Sequence, residues 1–495
     1  MGIIIRQSIK GTFVNYIGAF LGFLTTMFIL TKFLQPEEIG LTRVLYEAAL
    51  MITNFALLGV TASATRFFPY FQNAENKDNG FFFYLLILPT IGLITCGSIY
   101  LLLKTPISDF FSTNSSLFVD YYYWVLPLIG FLVYWITFET YANQKMRIAM
   151  PKFIREVLVR LMLIVVYLLY AFKILSLNGF IFCFIAVYGI TMLLAFFYIN
   201  KIGSLTLKHD FSFLNKDLKR NITRYTGIVI IGVLGGGLLH QLDLFMVGSQ
   251  LGLDYAGIYA VAFNMAVIIE IPSRSITPIS APLAAKSMKE GRMADANDLY
   301  KKVALHQLII GGLIFLLLWI NIDNIFLLIP NNHIYIAGKW VVFFISLTKL
   351  ISVIFDFGVQ MISFSKYYYW LFPFSIIITV LGITTNLLLI PIYGITGAAI
   401  STLVTYIIGY TIQQFIIILK VKGNPFSKNM FKFLLLLATA FGLNYLLPNW
   451  SDNFIIDGLY RTIIVGSLTV VVLYKLNLSE EISLLITTAL KKIKL

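Results

Sequence analysis

The sequence predicts an all-α, polytopic membrane protein of about 14 transmembrane helices, arranged as two pseudo-symmetric six-helix bundles with two further helices at the C-terminal end. Three observations predict it: a composition too apolar for water, apolar runs of span length separated by basic breaks, and a repeat relating the two halves. The 495 residues are 59% hydrophobic, 16% aromatic and only 12% charged. The mean hydropathy is +0.86, well above that of a soluble globular chain. A crossing helix needs about 20 apolar residues. Such runs recur along the whole chain, and no break between them has room for a soluble domain.

In chain order the predicted spans are 11–33, 39–65, 80–103, 118–140, 154–175, 178–200, 222–249, 255–281, 304–328, 335–363, 368–390, 393–419, 431–447 and 460–477. The first follows Arg6 and Lys10, as a signal peptide would. It is too long for an h-region and lacks a small-residue cleavage site, so it reads as a retained span. Cys96 and Cys183 lie in apolar runs without metal or redox spacing and read as small buried hydrophobes. Two YYYW clusters, at 121–124 and 367–370, fall at span starts, where aromatic residues mark the membrane interface.

Loop charge gives the orientation. With the N-terminus inside, the inward segments carry Arg6 and Lys10, Arg66 and Lys77, the cluster Lys145 to Arg155, the run Lys201 to Arg220, and basic groups around 286–302, at Lys366, around 420–432 and beyond Lys475. The outward loops carry only Lys32, Lys104, Lys173, Lys339 and Arg461. By the positive-inside rule both termini are cytoplasmic. The net charge of +14 is therefore a topology signal and an attraction to anionic headgroups, not the footprint of a nucleic-acid partner.

An internal repeat appears when FLQPEEIGLTRVLYEAALMI, from Phe33, is laid on QLGLDYAGIYAVAFNMAVII, from Gln250. At that constant offset Gly40 meets Gly257, Glu37 meets Asp254, and Ser63 meets Ser280. In each copy a long span ends, an acidic outward loop follows, and a second long span begins. The repeat divides the chain into an N-terminal bundle at 1–200, a cytoplasmic linker at 201–221, a second bundle at 222–420, and two added helices with a tail at 421–495. Parallel six-span bundles enclose a cavity able to open to either side, which is alternating-access transporter architecture.

Asp243, followed about a dozen residues on by Gly257, Tyr259 and Ala262, and the stretch PIYGITGAAISTLVTY at 391–406, resemble the polysaccharide flippases of the multidrug/oligosaccharidyl-lipid/polysaccharide exporter superfamily. Within it the chain is most similar to bacterial translocases of lipid-linked oligosaccharide of the O-antigen type. The resemblance spans the whole chain. One departure is Leu244, where the family often places a basic residue after the aspartate, which puts a lipid-phosphate role for that position in doubt. Gly394 and Gly397, with Ala398, Ala399 and Ser401, give span 12 a small-residue start suited to close helix approach. Gly18 with Gly22 in span 1, and Gly232 with Gly235 to Gly237 in span 7, suit contact between the halves or helix bending.

A diphosphate headgroup crossing a bilayer needs a wet path with cations, and arginine matches phosphate oxygens best. Arg43 in span 2 and Arg274 in span 8 are the candidates for substrate binding. Each has an acid four residues away, Glu47 and Glu270, so each pair is either a tolerated intrahelical ion pair or a cavity lining. Arg66, at the inner end of span 2, reads as a positive-inside anchor or a headgroup entry site. His240 and Asp243 share a face of span 7. They pack structurally, or the carboxylate takes up H⁺ or Na⁺ and couples its movement to opening. No further His or Cys completes a metal site, and no other cofactor is expected. Glu139, Arg160, Lys349 and Asp356 lie near span ends and are expected to snorkel or bond locally. Pro272, Pro278 and Pro282 should kink span 8 beside Arg274.

The resemblance implies a flippase of the bacterial inner membrane. It would carry undecaprenyl-diphosphate-linked oligosaccharide from the cytoplasmic to the outer leaflet for surface polysaccharide or lipopolysaccharide, with membrane lipids and polysaccharide assembly proteins as partners. The alternative within the superfamily is an ion-coupled exporter of drugs or organic cations. A membrane-embedded polymerase or glycosyltransferase is disfavoured, because no large outward loop, nucleotide-binding glycine loop or nucleophile elbow is present.

Overall fold

The computed structural model describes residues 2–72, 77–203, 205, 215–236, 239–448, 451, 453–484 and 487, and leaves undescribed the side chains of 2–12, 77, 228, 231–236, 239, 240 and 275. Among the described residues the regular structure is entirely helical. Helix lies in each of the 14 predicted span ranges, yet only 11 helices are long and apolar enough to cross a membrane by that criterion. The difference has two sources. Tyr368–Val421 runs through two predicted spans as one 54-residue helical stretch. Predicted span 154–175 carries Arg155, Glu156 and Arg160, too many charges for that criterion, and predicted span 222–249 includes residues 237 and 238, which lie outside the described residues.

The chain divides into two compact units. Unit 1 comprises Met1–Val261 and Ser375–Ala398, and unit 2 comprises Ala262–Phe374 and Ala399–Leu495.

In unit 1 the Pro36–Ala56 helix has the most fully satisfied start. Gln35 and Glu38 form a reciprocal capping box, Pro36 occupies the first turn, and Glu37 and Glu38 lie at the positive end of the helix dipole. Such a cap contributes about 1 kcal/mol. The helix buries Ile39, Leu41, Val44, Leu45 and Ala48 and stops where Leu58 and Gly59 take left-handed backbone angles, φ 46° and 67°. The Val60–Phe71 helix then sets off in a new direction.

The repeat is visible as a reciprocal contact inside this unit. A Cβ on Gly40 would overlap the backbone oxygen of Leu253, and a Cβ on Gly257 would overlap that of Pro36. Pro36 and Leu253 stand at the same offset in the chain as the two glycines. A contact in which residue i meets j while j's counterpart meets i's is what a local two-fold axis produces. Gly18 and Gly22 behave differently from the expected contact between halves. Within unit 1, Gly18 closes on Glu156 and Gly22 on the Arg160 guanidinium, which also donates to the Gly18 carbonyl.

Unit 2 is built on the Met293–Ile320 and Lys339–Phe364 helices. Its core includes Tyr300, Leu308, Phe315, Phe357, Met361, Ile417 and Phe433. The Lys428–Leu446 helix approaches closely at Gly312, where a Cβ would come within 2.9 Å of Phe433 and Leu437 side chains. Arg461, expected in an outward loop, is instead buried. Its Nε donates to Asp457 at 2.7 Å and its Nη1 to Asn444 Oδ1 at 2.9 Å. A guanidinium in an apolar bundle must be paired and hydrogen-bonded, and the added helices supply both partners.

Candidate functional site

The charged groups inside the predicted spans fall into separate clusters. In unit 1, Arg43 is half-buried one helical turn before the buried Glu47. Its charge acts on Glu47, Tyr46, Tyr167 and Tyr188, and Tyr46 stacks on Tyr188 at 5.3 Å between ring centroids. Arg43 therefore sits in a bed of tyrosines and one carboxylate.

A second group lies nearby in the same unit. Arg155 Nη1 donates to both oxygens of Glu139, at 2.9 and 3.1 Å, and its Nε to Glu156 at 3.0 Å. Arg160 pairs with Glu156 at 3.3 Å. These contacts converge on the π-helical turn Ile154–Leu158, a local widening that often marks functional positions. Arg155, expected as a loop charge, and Glu139 and Arg160, expected to snorkel, instead form one network. Arg66 is exposed, with its guanidinium 4.4 Å from the Tyr225 ring centroid and 5.7 Å from that of Phe67, an arrangement that favours a cation.

Asp243 is fully buried. Its Oδ1 accepts from Asn386 Nδ2 at 2.7 Å and its Oδ2 from the Tyr259 hydroxyl at 3.2 Å. Tyr259 belongs to the glycine motif, and Asn386 comes from the segment contributed by Ser375–Ala398. Asn386 Oδ1 is buried without a hydrogen-bond partner. Sequence reasoning missed Asn386, since an isolated asparagine in an apolar run has no spacing to betray it. The side chain of His240 lies outside the described residues.

The two motif glycines act differently. Gly394 takes φ 59° and ψ −141°, a region open essentially to glycine alone, and nothing lies within 4 Å of an added Cβ. It bends the long Leu371–Ile416 stretch and is not the close-approach position expected. Gly397 is that position, because a Cβ there would overlap the Leu389 carbonyl oxygen.

In unit 2 the expected Glu270–Arg274 pair is replaced by another. Glu270 Oε1 accepts from Lys349 Nζ at 2.7 Å, and Arg274 is exposed. The reason is local: Val267–Glu270 is a 3-10 turn, and a new helix begins only at Ser273, after Pro272. Residues i and i+4 share a face only on a continuous α-helix. Lys349 also lies 4.9 Å from the Phe263 ring centroid. Further along the Lys339–Phe364 helix, Asp356 accepts from Ser352 Oγ at 2.9 Å and from the Tyr410 hydroxyl. Lys349, Ser352, Asp356, Gln360 and Ser363 recur at helical spacing on this helix, a signal that would have disclosed the stripe from sequence.

The YYYW clusters also divide. Tyr122 is fully buried and stacks on Tyr100 at 4.3 Å, whereas Tyr368, Tyr369 and Trp370 are exposed as an interface belt would be. Cys96 and Cys183 are free and half-buried. Among the described residues no group of three His, Cys, Asp or Glu side chains is placed to hold a metal ion.

Eleven helices long and apolar enough to cross a membrane define a multi-pass membrane protein. The chain belongs to the polysaccharide biosynthesis protein family, whose model matches residues 5–288, more than half of the sequence. The resemblance read from the Asp243 and Gly257 motif is thus borne out. The fold is similar to that of the lipid II flippase MurJ in an inward closed conformation, with a TM-score of 0.72 and 14% identity over 93% of this chain and 98% of that one. It is also similar to a multidrug resistance MATE family transporter of the MOP superfamily in its inward-facing conformation, with a TM-score of 0.60 and 14% identity over 83% of this chain and 98% of that one. At such identities the likeness is one of fold. No curated protein matches the chain in sequence.

Proposed function

We propose that this protein is a flippase that moves undecaprenyl-diphosphate-linked oligosaccharide from the cytoplasmic to the outer leaflet of a bacterial inner membrane, with both termini in the cytoplasm and no catalytic step of its own. The observation that carries the reading is membership of a polysaccharide biosynthesis family in a chain with a transporter fold. Arg43, near Tyr46, Tyr167, Tyr188 and Glu47, supplies a half-buried cation suited to a diphosphate. Arg274 is exposed on its helix, free of the expected bond to Glu270, and Arg66 offers an entry cation. The glycan product would be passed to surface polysaccharide assembly proteins. Flipping of a fluorescent lipid-linked oligosaccharide in proteoliposomes tests the function directly. Arg43→Ala and Arg274→Ala are expected to abolish flipping and surface polysaccharide with the protein still in the membrane. Undiminished flipping in both variants removes these arginines from the path.

Asp243 is proposed as the coupling carboxylate, taking up H⁺ or Na⁺. Its complete burial, the amide of Asn386 and the unpartnered Asn386 Oδ1 support a small cation there, since buried oxygens without donors favour one. Asp243→Asn is expected to flatten the dependence of flipping on the H⁺ or Na⁺ gradient. An unchanged dependence returns Asp243 to a packing role.

A second reading, an ion-coupled exporter of organic cations, is favoured by one observation: the Asp356 carboxylate of unit 2 accepts from two hydroxyls and, among the described residues, makes no ion pair. Efflux of ethidium from the same proteoliposomes, with no flipping of the lipid-linked oligosaccharide, would establish that reading in place of the first.

A further inference from the structure

The last carbonyls of span 7 are held by a segment from the other copy of the repeat. The Leu239–Gln250 helix carries Asp243, and Gln250 lies seven residues, about 10 Å, beyond it. A helix end leaves its final carbonyls without partners inside the helix. Here Asn114 Nδ2 donates to the Gln250 carbonyl at 2.8 Å and to that of Ser249 at 3.4 Å, and Ser115 Oγ donates to that of Gly248. Both donors stand between two short helices, Lys104–Ser112 and Ser116–Asp120, in the connection that joins spans 3 and 4. From the first of these helices the fully buried Phe111 packs edge-on to Phe245, at 4.8 Å between centroids, and against Phe118 at 4.2 Å. The chain then leaves span 7 at Gly252, whose φ of 113° favours glycine and where a Cβ would come within 3.0 Å of the Asn114 carbonyl oxygen.

This hold has the properties of a releasable one. It consists of neutral hydrogen bonds and aromatic contact, and among the described residues it contains no ion pair. Asn114 is itself exposed, so its amide exchanges carbonyl for water without being stranded, and the freed carbonyls are hydrated in the same step. The seam is also incompletely satisfied. Ser108 Oγ in the first short helix and Gln250 Nε2 at the end of span 7 are buried with no hydrogen-bond partner among the described residues. Such groups gain water when the segment lifts, which offsets part of the cost of opening. The second copy of the repeat follows the same plan. Ile322–Leu328 and Asn332–Tyr335 are its two short helices, Asn331 and Asn332 stand at the counterparts of Asn114 and Ser115, and the buried Tyr335 stands at that of Phe118.

We propose that residues 104–120 form a strap that closes the Gln250 end of span 7. Release of Asn114 and Ser115 frees this end, and with it the helix that carries Asp243, to move when the transporter opens there. Three successive carbonyls are held by two neighbouring side chains, so one displacement of the strap releases all of them. Asn114 and Ser115 are positioning residues: they act on the placement of span 7 and set how often its end is uncovered. The proposal rests on the transporter reading of the fold and not on the nature of the cargo.

The test is thiol labelling of the full-length protein in lipid nanodiscs, without cargo, on a background in which Cys96→Ala and Cys183→Ala remove the native thiols. Ser249→Cys places a thiol beneath the strap, where the serine is 2% exposed, and Thr137→Cys places a buried one on span 4 as a control. A hydrophilic maleimide is the probe. Asn114→Ala with Ser115→Ala is expected to raise the labelling rate at position 249 by about tenfold, the effect of losing neutral hydrogen bonds, and to leave the rate at position 137 unchanged. If that double variant does not purify as a single species, Asn114→Asp is used, which keeps the shape and replaces the donor with an acceptor. A rise of about threefold or more is then expected at position 249. An unchanged rate at position 249 in either variant overturns the proposal. So does an equal rise at position 137, which marks general loosening of the bundle. Because no cargo is present, failure of the flippase reading would show in the flipping assay and not here.

Discussion

Gly40 with Gly257 and Glu139 with Asp356 are pairs related by the same internal repeat, and they behave in opposite ways. The glycines do the same thing in both copies: each lets its helix start press against the backbone of the other copy. Glu139 and Asp356 share a carboxylate and nothing else, since Arg155 neutralises the first and hydroxyls hold the second. The contrast shows which part of a duplicated helical architecture is free to change. A backbone contact that excludes every Cβ admits only glycine in either copy. A carboxylate tolerates different surroundings, a guanidinium in one copy and two hydroxyls in the other.

The contrast is most open to attack at the glycines. Gly40→Val or Gly257→Val places a branched side chain against a carbonyl that cannot rotate away, and overpacking of this kind costs about 3 kcal/mol or more. Either variant is expected to lose most of its monodisperse yield or to melt far below wild type in detergent; near-normal melting of both would refute the reciprocal contact. Next in size is Arg155→Ala, which leaves Glu139 without its guanidinium and Glu156 with Arg160 alone. Breaking a buried pair costs about 3 to 5 kcal/mol. Arg155 is 40% exposed, so a loss of about 2 kcal/mol is expected by thermal unfolding.

Asp356→Asn should cost less than about 1 kcal/mol, because the amide keeps an acceptor for Ser352 or Tyr410 and no ion pair is lost. A loss as large as that of Arg155→Ala would mean that the two acids are equivalent after all. The smallest effect is expected at the C-terminal segment. The Glu481 carboxyl is held below its ordinary range by its own backbone N–H, and further by Lys302 and His306. A lowered folded value means that its contribution is complete above the unfolded value of 4.5 and is lost as pH falls through the folded one. Proteolytic nicking after Leu478 should therefore rise in acid in the wild type, and Glu481→Gln should remove that pH dependence.

The candidate residues that sequence brings forward are those whose signals are local. Arg43, Asp243 and Gly257 stand out as costly or permissive residues in apolar helices, and their spacing fixes the helical face. Asn386, Arg155 and Asn114 were not legible. Each is ordinary in its own segment and matters only through a partner on another helix. The Glu270–Arg274 expectation failed for a related reason: a four-residue rule presumes a continuous helix, and Pro272 together with a 3-10 turn interrupts it.

Membrane class, helical content, the repeat and the family were all available from the chain before any coordinates. They follow from composition, periodicity and local motifs, and hydrocarbon imposes the first two on every span without regard to its neighbours. Packing in three dimensions set which charge meets which: Lys349 and not Arg274 at Glu270, Arg155 at Glu139, hydroxyls at Asp356, and an asparagine at Asp243. Ion pairing depends on distances of a few ångströms between separate helices, and no pattern along one helix encodes them.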